Sequence, residues 1–378
     1  MKKLCYFVNS DWYFNLHWLE RAKKAQEQNY EIHVITHFAD EKIKLHFTQL
    51  GFHCHNVNID AQSFNPVNLL SSFYFSYKII SKISPDILHC ITIKPCLIGG
   101  LISKVHRKSV ILSFVGLGRV FMDSHSLMAP LQKIILQFYK IISSNKKCRL
   151  MFEHEDDRNK LVNLLNINMQ QTVVVDGAGI NHHVYHYSQE EIKEKPVVLF
   201  ASRLLWNKGI GDLVEVKKRL EAKNIHFELQ VAGIIIDNDS DAVPMSLIDE
   251  WERKGLITWL GQSKDVYSLI KNANVIALPS VYAEGIPRIL LEACSVGRSC
   301  IAYNVGGCHS LIINNRNGLL VDKNNINDLT DKIEYLLQSP EVRIKMGLNG
   351  RARIEEKFTS EHISRTTLTV YESLLSEN

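Results

Sequence analysis

Asn274-Val-Ile-Ala-Leu-Pro-Ser280 runs straight into Val281-Tyr-Ala-Glu284-Gly-Ile-Pro287-Arg-Ile-Leu-Leu-Glu292-Ala. The first part is a short apolar run bounded by turn residues, the pattern of a buried strand. Pro287 suits the first turn of a helix, where its missing N–H costs nothing. The loop between them leaves the backbone N–H groups of residues 285, 286 and 288 to point into a cleft. A helix start of this kind attracts phosphate. Glu284 then sits in the mouth, and Glu292 lies about five residues into the helix, roughly 7–8 Å along its axis. That spacing fits a nucleotide sugar. One carboxylate would accept hydrogen bonds from sugar hydroxyls and the other from the vicinal diol of a ribose, with the diphosphate between them at the helix N-terminus.

The same strand–loop–helix alternation extends in both directions. Towards the amino terminus it predicts a strand at Leu4–Val8, a helix at Asn15–Gln28, a strand at Glu31–Thr36, a helix at Ala39–Leu50, a strand at Ile87–Cys90 and a helical segment at Ile98–Val105. A second set starts at Val197, with strands near Glu228–Ala232, Ile257–Leu260, Val275–Leu278 and Ser299–Ala302. Such alternation argues for an α/β protein with parallel sheets covered by helices. At 378 residues the chain exceeds what one core usually supports, so two domains are expected. Their bounds are read as 1–180 and 195–358, with the polar stretch 181–194 as linker. The last segment, about Thr359–Leu375, has the length and apolar spacing of a helix.

The Glu, seven residues, Glu arrangement with Gly-x-Pro after the first Glu resembles the donor-site signature of the retaining family 4 glycosyltransferases. A second block, Val197-Val-Leu-Phe-Ala-Ser-Arg203-Leu-Leu-Trp-Asn-Lys208-Gly209, is similar to that family's strand followed by an Arg and a Lys that hold the donor diphosphate. The blocks stand about 75 residues apart in the family's order, with Trp259-Leu-Gly261 between them and Asn304-Val-Gly-Gly307 after. Weaker likeness covers most of the chain, including Phe152–Arg158 and Asp176-Gly-Ala-Gly179. Leu88-His-Cys-Ile-Thr-Ile-Lys94-Pro and Ser113-Phe-Val-Gly116-Leu-Gly118 further resemble the bacterial branch that builds O-antigens and N-glycans on undecaprenyl diphosphate.

The resemblance implies a GT-B architecture, two Rossmann-like domains facing each other across a deep cleft, with the last helix (about 359–378) crossing back onto the first. It implies Arg203, Lys208 and Glu284 as catalytic residues. Gly285, Ile286, Pro287 and Glu292 would bind the donor, and Gly261, Gln262 and Val266 would frame its base. On the acceptor side the candidates are Asp11, His17, Lys94, Gly116 and Gly118. Two departures stand out. Relatives often carry Gly-Gly after the first strand where this chain has Asn9-Ser-Asp11, and many place a Glu at the position of Ser310 in Gly306-Gly-Cys-His-Ser310. His17 and His89 read equally well as packed histidines.

Net charge is +4, with 44 Lys plus Arg against 40 Asp plus Glu, but it is unevenly spread. Residues 101–150 carry nine basic side chains and one acid, Asp123, and the segment Leu127–Lys147 interleaves basic with apolar and aromatic residues. That pattern suits an anionic membrane surface as well as a solvated helix face. No 18-residue uncharged span occurs, and Asn9 and Asp11 interrupt any signal-peptide core. A cytoplasmic protein bound peripherally to the inner membrane face is therefore expected, with no nucleic-acid partner. Its eight cysteines show no C-x-x-C pair and read as reduced.

Other patterns are set aside. Asp237-Asn-Asp239-Ser-Asp241 contains D-x-D but falls in a polar loop far in sequence from the donor helix. His53-Cys-His55 and His182-His183 with His186 lack a second ligand pair at a usual spacing. There is no phosphate-loop or nucleophile-elbow motif. No cofactor and no metal are expected. The partners implied are a UDP-sugar donor and a lipid-linked saccharide acceptor. A sugar-nucleotide epimerase of the same fold and a non-catalytic scaffold for polysaccharide assembly are the rival readings.

Overall fold

The computed structural model describes residues 1–59, 66–118, 129–236, 239–282 and 284–376. They form two compact units, one of residues 1–179 with 360–378 and one of residues 180–359.

The first unit runs β1 (Lys2–Phe7), α1 (Asp11–His17), α2 (Leu19–Glu27), β2 (Tyr30–Thr36), α3 (Glu41–Gln49), β3 (His53–Asn56) and α4 (Pro66–Ile83). It continues through β4 (Ile87–Ile91), α5 (Ile93–His106), β5 (Ser109–Phe114), α6 (Ala129–Ser143), β6 (Cys148–Phe152), α7 (Glu155–Leu165) and β7 (Thr172–Val174). The strands make one sheet in the order β3-β2-β1-β4-β5-β6-β7, with every paired neighbour parallel. Apolar clusters lie on both faces, one around Phe7, Leu88 and Leu112 and the other around Tyr6, Val34 and Ile111. Consecutive residues Tyr6 and Phe7 thus serve opposite cores, as strand alternation requires.

The second unit contains β8 (Val197–Ala201), α8 (Ile210–Ala222), β9 (Glu228–Ala232), α9 (Met245–Arg253), β10 (Thr258–Trp259), α10 (Val266–Asn272) and β11 (Val275–Leu278). It ends with α11 (Arg288–Val296), β12 (Ser299–Tyr303), α12 (Gly306–Leu311), β13 (Gly318–Val321), α13 (Ile326–Gln338) and α14 (Pro340–Arg353). Its parallel sheet is ordered β10-β9-β8-β11-β12-β13. All of β11 and β12 is buried, which is why these strands read as unbroken apolar runs rather than alternating ones. The chain returns to the first unit as α15 (Ser360–Ser376), which packs on α2.

Two expectations need correcting. The helix read as Asn15–Gln28 starts earlier, at Asp11, and breaks at Trp18, whose φ and ψ are −123° and −15°. Trp18 is buried, edge-on to His89 at 4.8 Å between centroids, with the Arg21 guanidinium over its ring at 4.2 Å. Packing overrides local periodicity there. The stretch 181–194 is not a free linker but is sewn onto the second unit. Arg298, fully buried, donates to the carbonyls of Ser188 (2.5 Å), Lys271 (2.7 Å) and Ala273 (2.9 Å). Glu190 receives Arg343 Nε at 2.7 Å and Asn274 Nδ2 at 2.8 Å. Removing one partner of such a buried pair costs about 3–5 kcal/mol.

His89 is a packed residue. Its Nδ1 lies 2.7 Å from the Tyr371 hydroxyl and its Nε2 lies 2.6 Å from Ser113 Oγ, tying α15 to β4 and β5. Burial pushes its pKa well down, so the ring stays neutral. Among the described residues all eight cysteines are free thiols, and no helix is long and apolar enough to cross a membrane.

Candidate active site

In the second sheet the strand order reverses between β8 and β11, and ligands of open α/β sheets collect outside the carboxyl ends of strands at such a point. Arg203 and Lys208 follow β8; Glu284, Gly285, Ile286 and Pro287 follow β11. Adjacent strands therefore bring together two blocks that are far apart in sequence.

Their loops are held backbone to backbone. Val281 N–H donates to the Asn207 carbonyl at 2.9 Å, and Gly307 N–H donates to the Glu284 carbonyl at 3.1 Å, so the loops after β8, β11 and β12 form one cluster. Two glycines make this approach possible. Gly209 has φ +84° and a Cβ there would lie 2.1 Å from the Pro279 carbonyl oxygen; a Cβ on Gly307 would lie 2.3 Å from that of Gly285. Any side chain at either position would push the loops apart.

Within the cluster the Lys208 ammonium is in direct contact with the Glu284 carboxylate. The lysine side chain is 5 % exposed and the glutamate 28 %, so the acid faces outward over a buried cation. Burial, and secondly the Arg203 guanidinium, draw the Lys208 pKa down to about 7. The Glu284 carboxylate works against that fall, since an adjacent anion favours the ammonium. Arg203 itself is exposed. Asn207, between them in the turn, has a buried Oδ1 with no hydrogen-bond partner among the described residues.

Pro287 proves to be the N-cap of α11 rather than a residue of its first turn, with φ −63° and ψ 126°. Glu292 is the fifth residue of the helix and is buried. Its Oε1 accepts from Arg288 Nε at 2.8 Å, one turn earlier. Burial raises its pKa, while Arg288 and a hydrogen bond with Tyr185 oppose the rise. Gly261 follows β10, and its carbonyl accepts from Gly233 N–H at 2.9 Å; Gln262 is exposed and Val266 opens α10.

The D-x-D stretch is partly visible: Asp237 and Asn238 lie outside the described residues. Asp241 does more than line a solvated loop. Its carbonyl accepts from Trp206 N–H at 2.8 Å and its Oδ2 from Asn207 N–H at 3.2 Å, which clamps the turn that carries Lys208. Sequence distance from the donor helix concealed this, because β9 lies beside β8 in the sheet.

In the first unit, Asp11, Lys94, Gly116 and Gly118 follow β1, β4 and β5, neighbours around the reversal between β1 and β4. Asp11 is buried, with Oδ2 accepting from Ala39 and Asp40 N–H at 2.9 Å each and Oδ1 from Trp12 N–H at 2.7 Å. Its carboxylate thus holds the loop before α3. His17 lies at the far end of α1, with its ring 4.5 Å from that of Tyr13. Lys94 is buried in the first turn of α5, and Gly116 and Gly118 have φ of 105° and 67°. Sequence reading missed Thr92. It has φ 73°, costly for a β-branched residue by about 1–3 kcal/mol, and its hydroxyl is buried with no partner among the described residues. No one-dimensional pattern announces a strained φ. Residues 119–128 lie outside the described residues.

The description "Glycosyl transferase 4-like" matches residues 3–146, and "Glycosyl transferases group 1" matches residues 185–353. An N,N'-diacetylbacillosaminyl-diphospho-undecaprenol alpha-1,3-N-acetylgalactosaminyltransferase of Campylobacter jejuni is 26% identical over 326 residues, 83% of this chain and 84% of that protein. A UDP-Gal:alpha-D-GlcNAc-diphosphoundecaprenol alpha-1,3-galactosyltransferase of Escherichia coli is 22% identical over 340 residues, 86% of this chain and 82% of that protein. The fold is shared with the crystal structure of Anabaena Alr3699/HepE in complex with UDP, at a TM-score of 0.80 and 18% identity over 99% of this chain and 100% of the other. With both halves matched in this order and the fold shared throughout, the chain belongs to the GT-B glycosyltransferases.

Proposed function

We propose that the protein moves a hexose or N-acetylhexosamine, with GalNAc or GlcNAc favoured, from a UDP-sugar to an undecaprenyl-diphosphate-linked saccharide in surface polysaccharide synthesis, with retention at the anomeric carbon. The observation that carries this reading is the contact between buried Lys208 and outward-facing Glu284 at the start of α11. The Campylobacter and E. coli relatives, whose names give lipid-diphosphate-linked sugar acceptors, support the acceptor class.

Departure of UDP builds negative charge on the diphosphate and positive charge on the sugar ring. Arg203, Lys208 and the N-terminus of α11 would stabilise the first charge, as preorganised donors stabilise any developing anion. Glu284 would orient the sugar through its hydroxyls and stabilise the cationic ring. Glu292 would take the ribose, sharing its carboxylate with Arg288. The acceptor attacks from the face the diphosphate leaves, and a phosphate oxygen takes its proton. These groups neutralise the diphosphate without a divalent cation.

A membrane role rests on α4 and α6, which both pack against α5. On α6 Ile135, Tyr139 and Ile142 are buried, while Ile134, Phe138 and Ile141 are exposed on the other side, beside exposed Lys133 and Lys140. Helix α4 adds exposed Val67, Leu70, Tyr74 and Phe75. An apolar stripe rimmed by lysines suits an anionic bilayer surface.

The test is release of UDP from a panel of UDP-sugars, with and without a lipid-linked saccharide. Acceptor-dependent release with one sugar and an acceptor lengthened by one sugar residue support the reading. Epimerised sugar without transfer, or binding without UDP release, would overturn it.

A further inference from the structure

Strand β3 is the outer strand of the first sheet and pairs in parallel with β2, His33 opposite His53. Because side chains alternate, Glu31 and His33 of β2 share a face with His53 and His55 of β3. Four groups able to bind metal or proton thus meet at the sheet edge, away from the carboxyl strand ends that carry Asp11, Lys94 and Gly116. His53-Cys-His55 lacks a second ligand pair in the sequence; parallel pairing supplies one from Glu31 and His33.

The distances are close. Glu31 Oε1 lies 2.9 Å from His33 Nε2 and 3.5 Å from His53 Nε2, and one donor atom from each residue falls within 4.8 Å of both others. Zinc bonds to imidazole nitrogen and carboxylate oxygen at about 2.0–2.2 Å, which puts neighbouring tetrahedral donors about 3.3–3.5 Å apart. His33 is buried, 8 % exposed in its side chain, and stacks between His53 and His55 at 4.7 and 5.4 Å between centroids. Its Nδ1 lies 3.1 Å from His55 Nε2. In the tautomer whose Nδ1 donates to His55, the Nε2 lone pair of His33 is directed at a metal that the Glu31 oxygen can share; in the other tautomer Nε2–H donates to Glu31. The first is the outer-shell arrangement that orients metal-binding imidazoles. His53, 56 % exposed in its side chain, leaves the position open to solvent.

We propose that Glu31, His33 and His53 form a binding site for a divalent transition metal of the zinc class, with His55 orienting His33 and water completing the coordination. A carboxylate with two imidazoles selects such ions over magnesium or calcium, which prefer all-oxygen sites. The site would staple the four-residue outer strand to β2.

Untagged full-length protein, stripped with EDTA and dialysed free of it, is titrated with ZnCl2 by calorimetry and followed by thermal melting. One zinc equivalent should bind and raise the melting temperature. His53→Ala and Glu31→Gln, both at accessible positions, should keep the melting temperature of the metal-free protein, weaken that equivalent at least tenfold and abolish the zinc-dependent rise. A His182→Ala, His183→Ala variant serves as the control for other imidazoles and should bind like wild type. Wild-type affinity in both test variants, or loss of the equivalent in the control instead, would overturn the assignment.

Discussion

The Lys208 ammonium and the Glu284 carboxylate, 76 residues apart in the chain, are in contact because β8 and β11 are neighbours in the sheet. The pair places a buried cation under an accessible anion, so a diphosphate and a sugar hydroxyl could be served from one point. Replacing Lys208 or Arg203 with Ala should lower turnover by about two to three orders of magnitude with the fold intact. Wild-type turnover in a folded double variant would refute the role given to both cations.

The two acids should separate by ligand. Glu292→Ala should weaken UDP itself through the lost ribose contact, whereas Glu284→Ala should spare UDP binding and depress transfer. Calorimetric titration with UDP reads the difference. Equal losses of UDP affinity would show that the carboxylates are wrongly assigned.

The lowered Lys208 pKa predicts that UDP binding depends on pH. The pKa is lowered to about 7 in the free protein, so above that pH a growing fraction of the lysine is neutral. A diphosphate favours the ammonium and lifts the pKa, so UDP binding should take up a proton above pH 7, and affinity should fall as pH rises from 7 to 9. Calorimetry in buffers of different ionisation heat measures the uptake. Lys208→Arg should abolish it, because a guanidinium stays protonated throughout.

Asp241 gives a test of geometry without charge chemistry. Asp241→Ala removes the side-chain bond to Asn207 N–H while the backbone bond to Trp206 stays, so it should loosen the Lys208 turn and reduce turnover by about 10-fold. EDTA should leave wild-type turnover unchanged. Activity lost to EDTA and restored by manganese would instead make the Asp239–Asp241 loop a metal site.

The exposed face of α6 should hold the protein to anionic vesicles. Changing Lys133, Lys140, Lys146 and Lys147 together to Glu removes contacts worth about 1 kcal/mol each near the surface. Phe138→Asp attacks the apolar stripe instead. Both should reduce sedimentation with anionic liposomes at low salt and preserve UDP binding. Unchanged sedimentation of both variants would make this face an ordinary solvated one.

The alternation of short apolar runs with helical patterns was enough to read two parallel α/β domains, and the ends of β9 and β11 fall where the residues put them. Such patterns are legible because strand and helix periods are local, and because Gly209, Gly307 and Pro287 mark the loops where backbones approach or helices start. The candidate donor residues were legible for the same reason. What the sequence did not contain was adjacency. The Lys208–Glu284 contact, the Asp241 clamp and the Glu31–His33–His53 cluster all depend on which strand lies beside which and in what register, an outcome of the whole sheet. The break at Trp18, the strained φ of Thr92 and the anchoring of residues 181–194 by Arg298 and Arg343 likewise come from packing between segments distant in the chain, which no window of local periodicity samples.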